Sequence, residues 1–363
     1  MKKLDWYILK KFLTTFFFAI FLFAVIAIVV DVSEKTDDFV RSGLSVQNII
    51  TQYYYGFVPH IIALLLPLFV FIAVIFFTSK MAGRSEIIAI LASGTSYRRW
   101  LRPYWIGGIM LAALLWWANQ YVVPRANQIR GSFEANYIDK NSSYNALLSS
   151  SSYIYLRVDS FTYAGIYAYD TLTKRGGPYF SFTIRKNKVV ENLRADQIVW
   201  DTAVRKWKLE SLVQRKITDT GEEVTLTPEQ RMNFNFQPLD LSRDKYTKDK
   251  LTTPELDRFI ELEELRGSEG LNSLKVERYR RDATCITVIL LTLIGAIVAG
   301  RKVRGGSGVH LAVGFVTAAL FILTDRFSTI FSTKGDLPPL LAAWIPNFIF
   351  IFVVIYLYRK APK

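Results

Sequence analysis

The stretch FLTTFFFAIFLFAVIAIVV, Phe12 to Val30, runs nineteen residues without a charge and stops at Asp31, Ser33 and Glu34. A helix of that length rises about 30 Å, the thickness of a bilayer's hydrocarbon core. Five further apolar stretches follow, at Phe57 to Phe77, Tyr104 to Val123, Ala283 to Ala299, Val309 to Leu323 and Leu340 to Tyr358. The fourth and fifth are short, and either alone would pass for a buried hairpin, but six together read as membrane spans. They fall three and three around a polar, Tyr-rich insert of roughly 160 residues. The first has a basic flank like a secretory signal, yet no small-residue cleavage pattern follows it, so it is read as retained.

Basic residues orient the spans. Fifteen Lys and Arg lie in the N-terminal tail (Lys2, Lys3, Lys10, Lys11), the second loop (Lys80, Arg84, Arg98, Arg99, Arg102), the fourth loop (Arg301, Lys302, Arg304) and the C-terminus (Arg359, Lys360, Lys363). The opposite short loops hold four, Lys35, Arg41, Arg326 and Lys334. This bias predicts cytoplasmic termini and an external insert. It also accounts for the net charge of +14, of which +13 falls on the cytoplasmic segments, −2 on the short outer loops and +3 on the insert. The excess therefore reflects topology and argues against nucleic acid as a partner. The single cysteine, Cys285, lies inside the fourth span, which excludes an internal disulfide and a cysteine metal cluster.

Strand periodicity dominates the insert. Ile154, Leu156 and Val158 alternate with Tyr153, Tyr155 and Arg157, and Phe180, Phe182 and Ile184 alternate with Ser181, Thr183 and Arg185. Shorter echoes occur at Trp207 and Leu209 and at Phe234 and Phe236. Lys174-Arg175-Gly176-Gly177-Pro178 and Asp219-Thr220-Gly221 supply breaks, and antiparallel strands at this spacing predict a sandwich or jelly roll. Thr253-Pro254 then starts an amphipathic helix with Leu256, Phe259, Ile260 and Leu265 on one side, leading back to the bilayer near Arg278, Arg280 and Arg281. The predicted organisation is residues 1–123 for spans one to three, 124–250 for the β domain, 251–281 for the connecting helix and 282–363 for spans four to six.

The spans contain almost nothing that titrates. Apart from tyrosines, His60, His310 and Cys285 are the ionisable side chains within the six stretches; His60 stands beside Pro59 near the outer surface, where an interfacial role outweighs a proton relay. No G-x-x-x-x-G-K-[ST] phosphate loop and no H-E-x-x-H occurs, and the second histidine, His310, lies on a different span. No cofactor is expected on this chain. An ion-coupled exporter would need a buried relay, which these spans do not offer.

The second cytoplasmic loop carries the sharpest signal. In Arg84-Ser85-Glu86-Ile87-Ile88-Ala89-Ile90-Leu91-Ala92-Ser93-Gly94, Ser85 is placed to cap a short helix, Glu86 to sit at its positive end and Gly94 to end it. Such a helix either lies on the membrane surface or inserts into a groove of a separate ATPase, with Glu86 as its polar contact.

The order of spans and insert, together with R-S-E-I-I-A-I-L-A-S-G-T-S at Arg84 to Ser96, resembles the LptF/LptG (YjgP/YjgQ) permeases of lipopolysaccharide export. The resemblance covers essentially the whole chain, and Ser85, Glu86, Ala92 and Gly94 match the family's loop segment. Weaker matches are Ala195 with Trp207-Lys208-Leu209, Asp325, and Leu337-Pro338-Pro339. Asp31, Asp325 and the Pro-Pro turn are closer to LptG than to LptF.

The resemblance implies an α-helical membrane protein with six transmembrane helices and an all-β, jelly-roll-like periplasmic domain between helices 3 and 4. It implies a permease, not an enzyme, that pairs with a homologous permease and a dimer of the ATPase LptB, which binds the ATP. Its cargo is lipopolysaccharide, passed to a periplasmic LptC/LptA bridge. It places Arg84, Ser85, Glu86, Ile88, Leu91 and Gly94 at the ATPase contact, and the first and fifth spans around the lipid cavity. Relatives carry several cations at the outer end of the first span for the lipid's phosphates. This chain retains Lys35 alone there, amid Asp31, Glu34, Asp37 and Asp38, and Arg125 and Arg130 are the candidates to supply the missing charge. The rival class is a membrane-anchored receptor or envelope assembly factor using the β domain, which would need no ATPase.

Overall fold

A computed structural model describes residues 3–138, 153–170, 173–218, 221–241, 247–266, 270–301 and 307–361. Lys2, Lys302, Arg304 and Lys363 of the charge count, and Asp219 and Thr220 of the second predicted break, lie outside the described residues. Six described helices are long and apolar enough to cross a membrane. The first is α1 (Lys3–Ser42). The second joins α2 (Val46–Ile49), a π-helical turn (Ile50–Tyr54) and α3 (Tyr55–Gly83). After the short α4 (Glu86–Ala92), the third runs through α5 (Tyr97–Trp100), α6 (Arg102–Trp117), a π-helical turn (Ala118–Val122) and α7 (Val123–Phe133). After the β strands come α8 (Thr247–Lys250) and α9 (Thr253–Arg266). The last three spans are α10 (Leu271–Ala299), α11 (Ser307–Lys334) and α12 (Pro339–Lys360).

The helices outrun the apolar stretches. α1 continues about three turns past Val30, through the acidic run, to Gly43 at φ +66°. Asp31 and Lys35 pair across one turn at 3.1 Å, and the Ser33 hydroxyl donates to the Val29 carbonyl at 2.9 Å, so the polar residues find partners along the same helix.

α1 buries one stripe, Ile8, Leu9, Phe12, Phe16 and Ile20, at spacings of one, three and four, against α3, α6 and α10. The contact with α6 depends on Gly107, where a Cβ would lie 2.5 Å from the Phe12 ring. Small residues at such crossings let membrane helices approach closely. α10 is the enclosed strut, with 72% of its apolar window buried, against 17% in α1 and in α11. The large exposed residues of α1 (Phe17, Phe18, Phe21, Leu22) and α11 (Phe315, Val316, Leu320) thus have no cover within this chain's described residues.

The chain divides into two compact units, Met1–Phe133 with Lys248–Leu256 and Asn272–Lys363, and Glu134–Thr247 with Asp257–Leu271. The second unit holds eight strands: β1 (Tyr153–Arg157), β2 (Thr162–Tyr167), β3 (Arg175–Gly176), β4 (Tyr179–Arg185), β5 (Lys188–Ala195), β6 (Gln197–Asp201), β7 (Lys206–Thr218) and β8 (Gly221–Met232). All pairs between these strands are antiparallel, in the order β1-β2-β4-β5-β7-β6-β3, with β8 along the other edge of β7. The long β7 is the seam. Lys206–Glu210 pairs with β6 and Val213–Lys216 with β5, and the switch occurs at Ser211, whose φ is +55°. The result is one eight-stranded antiparallel sheet with a core of Ile166, Tyr179, Ile198, Trp207, Leu209 and Leu212. Trp207 is fully enclosed and its indole N–H donates to the Phe236 carbonyl at 2.8 Å.

Three local expectations are corrected. β4 turns Tyr179 and Ser181 inward and sends Phe180 and Phe182 to the opposite face. Its register with β2 decides this, because Gly165 stands opposite Phe180, and a Cβ there would lie 2.4 Å from the Phe180 ring. The predicted Lys174–Pro178 break contains β3, which pairs with β6. In α9, Leu256 and Ile260 are buried but Leu265 is 75% exposed. Nine residues at about 100° each put Leu265 on the face opposite Leu256. The helix itself starts as the Thr-Pro pair predicts, and Glu255 reaches back to accept from the Thr252 backbone N–H at 2.9 Å and from its hydroxyl at 2.7 Å.

Candidate functional site

Three places collect the polar chemistry of the helical unit. The first is α4, the helix of the Arg84–Gly94 segment. Ile87 is buried in the helical core and Ile90 and Leu91 pack partly against it, whereas Ile88 is half exposed. Glu86 is tied back, accepting from the Tyr7 hydroxyl of α1 at 3.5 Å and facing Arg84 at 3.9 Å. Gly94, at φ +82°, ends the helix as its composition predicts. The capping role read for Ser85 does not hold. Ser85 adopts a left-handed conformation (φ 60°, ψ 13°), and its side chain makes no cap hydrogen bond because an N-cap serine reaches the helix N–H groups from extended backbone.

The second lies at the opposite end of α1. Asp31, almost fully buried, accepts from the Tyr53 and Tyr54 hydroxyls at 3.0 Å each, and Lys35 sits 3.1 Å from the same carboxylate. Lys35 also donates to the Tyr53 hydroxyl and lies 4.6 Å from the centre of that ring. Lys35, read as a lipid-phosphate contact, is thus engaged inside the chain as one arm of a latch between α1 and the second span. Of the other two cations in that reading, Arg125 is exposed on α7, and Arg130 is half-buried one turn further on. α7 lies against the second span so closely that a Cβ on Gly56 would be 2.3 Å from the Ala126 carbonyl oxygen. The structure places Arg125 and Arg130 on one helix and Lys35 in a different, already paired group.

The third was not singled out as a site from the sequence. A cavity of about 450 Å³ opens in the half of the bundle distant from α4, among α3, α10, α11 and α12. Leu64, Leu68, Leu291 and Phe321 line one part, and Arg280, Asp325 and Arg326 another. The Arg280 guanidinium is held by Asp325 at 2.9 Å and Thr329 at 2.7 Å. The Arg281 guanidinium donates to the Thr253 hydroxyl at 3.2 Å and the Lys248 carbonyl at 3.0 Å. Behind them Asn347 donates to the Ala283 carbonyl and accepts from Thr287, both at 2.8 Å, so α12 is locked to α10. His60 lines the same cavity. Burial, with Glu277 beside it, raises the Asp249 carboxyl above the usual carboxylate range. The signal that could have found this site was the pairing of Arg280-Arg281 before one span with Asp325-Arg326 after another.

Two triplets of helices long and apolar enough to cross a membrane flank an antiparallel β domain in the chain, with a short helix between the second and third, and define a multi-pass membrane protein. The family described as the lipopolysaccharide export system permease LptF/LptG matches residues 6–360. The chain belongs to that family, and is therefore a multi-pass protein of the inner membrane and a permease of lipopolysaccharide export. No curated protein matches it.

Proposed function

We propose that this protein is one of two homologous permease subunits of an ATP-driven exporter that extracts lipopolysaccharide from the inner membrane and hands it to a periplasmic bridge. The chain carries no catalytic site or cofactor in this reading. The ATP is bound by a cytoplasmic ATPase dimer of the LptB kind, and the bridge is of the LptC/LptA kind. Both termini and α4 are cytoplasmic, and the β domain is periplasmic, as the distribution of basic residues requires.

The observation that carries the reading is the construction of α4. Ile87 roots it in the core while Ile88 is left for an external apolar groove, and Glu86 touches Tyr7 on the same helix whose other end holds the Asp31 latch. A push on α4 therefore reaches α1 directly. The two least covered spans, α1 and α11, are the ones a homologous partner would close against to form a lipid cavity. Acyl chains moving along such a wall exchange one apolar surrounding for another at little cost. Arg125 and Arg130 are the cations on α7 proposed to meet the lipid's phosphates. The LptG-like role is favoured by the buried Asp31, by the Arg280–Asp325 pair and by the turn at Pro338-Pro339.

The test is purification of the assembled complex carrying Ile88→Asp or Glu86→Lys. Loss of ATPase capture, with the permease pair still folded and associated, supports the coupling role. Undiminished capture and undiminished lipid extraction by both variants refute it.

A further inference from the structure

The cavity between α3 and α11 has the build of a lipid site whose walls all come from this chain. At the half of the bundle near α4 the two helices close on each other, and a Cβ on Gly314 would lie 2.3 Å from the Ile75 side chain. Towards the other end they part around the cavity, and the lining residues Leu64 and Ile322 are about half exposed, which sets a mouth between the second and fifth spans. The volume, about 450 Å³, falls within the roughly 300–1,000 Å³ of sites that hold small organic ligands.

The charges in the wall select the occupant. Arg280 is paired with Asp325, and Arg281 faces Glu277 at 3.8 Å. That leaves Lys248 and Arg326 against Asp249, an excess of one positive charge among the described lining residues. Arg280 Nε is buried with no hydrogen-bond partner among the described residues, and a buried guanidinium N–H calls for an acceptor. Basic pockets between membrane helices are recognised by lipid phosphates.

We propose that this cavity binds one anionic glycerophospholipid of the surrounding bilayer, its phosphodiester on Arg280 and Arg326 and an acyl chain leaving between Leu64 and Ile322. The phosphodiester cancels the one unpaired positive charge among the described lining residues. A zwitterionic lipid would bring an ammonium group that this excess disfavours. The site shares α11 with the export reading but differs from it in ligand, so the lipopolysaccharide arm of the test separates the two.

The test is native mass spectrometry of the purified full-length protein equilibrated with equal amounts of phosphatidylglycerol and phosphatidylethanolamine, with lipopolysaccharide in a separate arm. Wild type retains one phosphatidylglycerol in preference to phosphatidylethanolamine. Arg326→Gln, a substitution at an exposed position that the fold tolerates, lowers that retention about tenfold, the loss of one charge-assisted contact. Leu64→Trp, also at an exposed position, blocks the mouth and lowers it comparably while leaving the charges intact. Equal retention of the two phospholipids, retention unchanged in both variants, or displacement of the phospholipid by lipopolysaccharide would each overturn the proposal.

Discussion

Asp31 shows why a charge at a span's edge should be judged by its partners. Its carboxylate takes two tyrosine hydroxyls and the Lys35 ammonium, and its side chain is only 8% exposed. Replacing it by Asn removes the carboxylate that stands 3.1 Å from the partly buried Lys35 ammonium. Asp31→Asn is expected to cost about 2–4 kcal/mol, seen as a lower thermal midpoint in detergent, with partial recovery in Asp31→Asn/Lys35→Met. Full additivity of the two substitutions would contradict the latch. In the β domain, Asp159 holds a turn by accepting from the backbone N–H groups of Phe161 at 2.7 Å and Thr162 at 2.9 Å. The Phe161 bond is the larger cause that holds its carboxyl below the usual range. A lowered folded-state value means that this contribution is present above the unfolded carboxyl's titration, near pH 4, and is lost as pH falls through the folded value. Asp159→Asn should therefore lower the domain's stability at neutral pH and converge with wild type as pH falls, which flattens the acid limb of the stability curve, as followed by tryptophan fluorescence. At this scale the sequence exposed the residue types and hid their pairings. Lys35 stood out as a lone cation amid acids, but nothing local showed that two tyrosines about twenty positions away would close the group around it.

Elements were legible where one physical demand dominated. Length and the absence of charge sufficed for the six spans, since a membrane helix needs little else, and Gly94 was a readable stop because its φ of +82° suits glycine. No heavy atom of a neighbour lies within 4 Å of a Cβ placed on Gly94, so Gly94→Val tests backbone strain alone. It is expected to cost about 1–2 kcal/mol and to weaken ATPase capture in the complex; unaltered capture and stability would separate the lever from its hinge. Gly107 is the opposite case, a close approach rather than a turn. Gly107→Val drives two methyl groups into the Phe12 ring and is expected to lower the thermal midpoint well below that of the same change at Gly308, which has open space. Elements set by pairing were not legible. β4 alternates with either face plausible, and only Gly165 opposite Phe180 in the folded register decides which is buried. β8 is exposed along nearly its whole length, so it carried no burial signal and is a strand by virtue of its ladder with β7.

At the scale of the whole molecule, the helical unit leaves two of its spans uncovered among the described residues. α10 is enclosed, α12 is bolted to it through Asn347, and α1 and α11 present large apolar side chains that nothing described in this chain covers. On the proposed function, those two spans close against a second permease, and a push on α4 is passed to α1 through Glu86 and Tyr7, which are in hydrogen-bond contact. What the candidate site shares with the sequence reading is this lever; the cavity escaped notice because its charges lie on helices far apart in the chain and meet only in the bundle. The most direct measurement reconstitutes the permease in lipopolysaccharide-loaded vesicles, with and without the partner permease, the ATPase and ATP, and follows release of the lipid to an added periplasmic acceptor. The account predicts release only when all components and ATP are present, and its loss with Glu86→Lys. Release at the same rate by this polypeptide alone, with no ATPase in the vesicles, would contradict it.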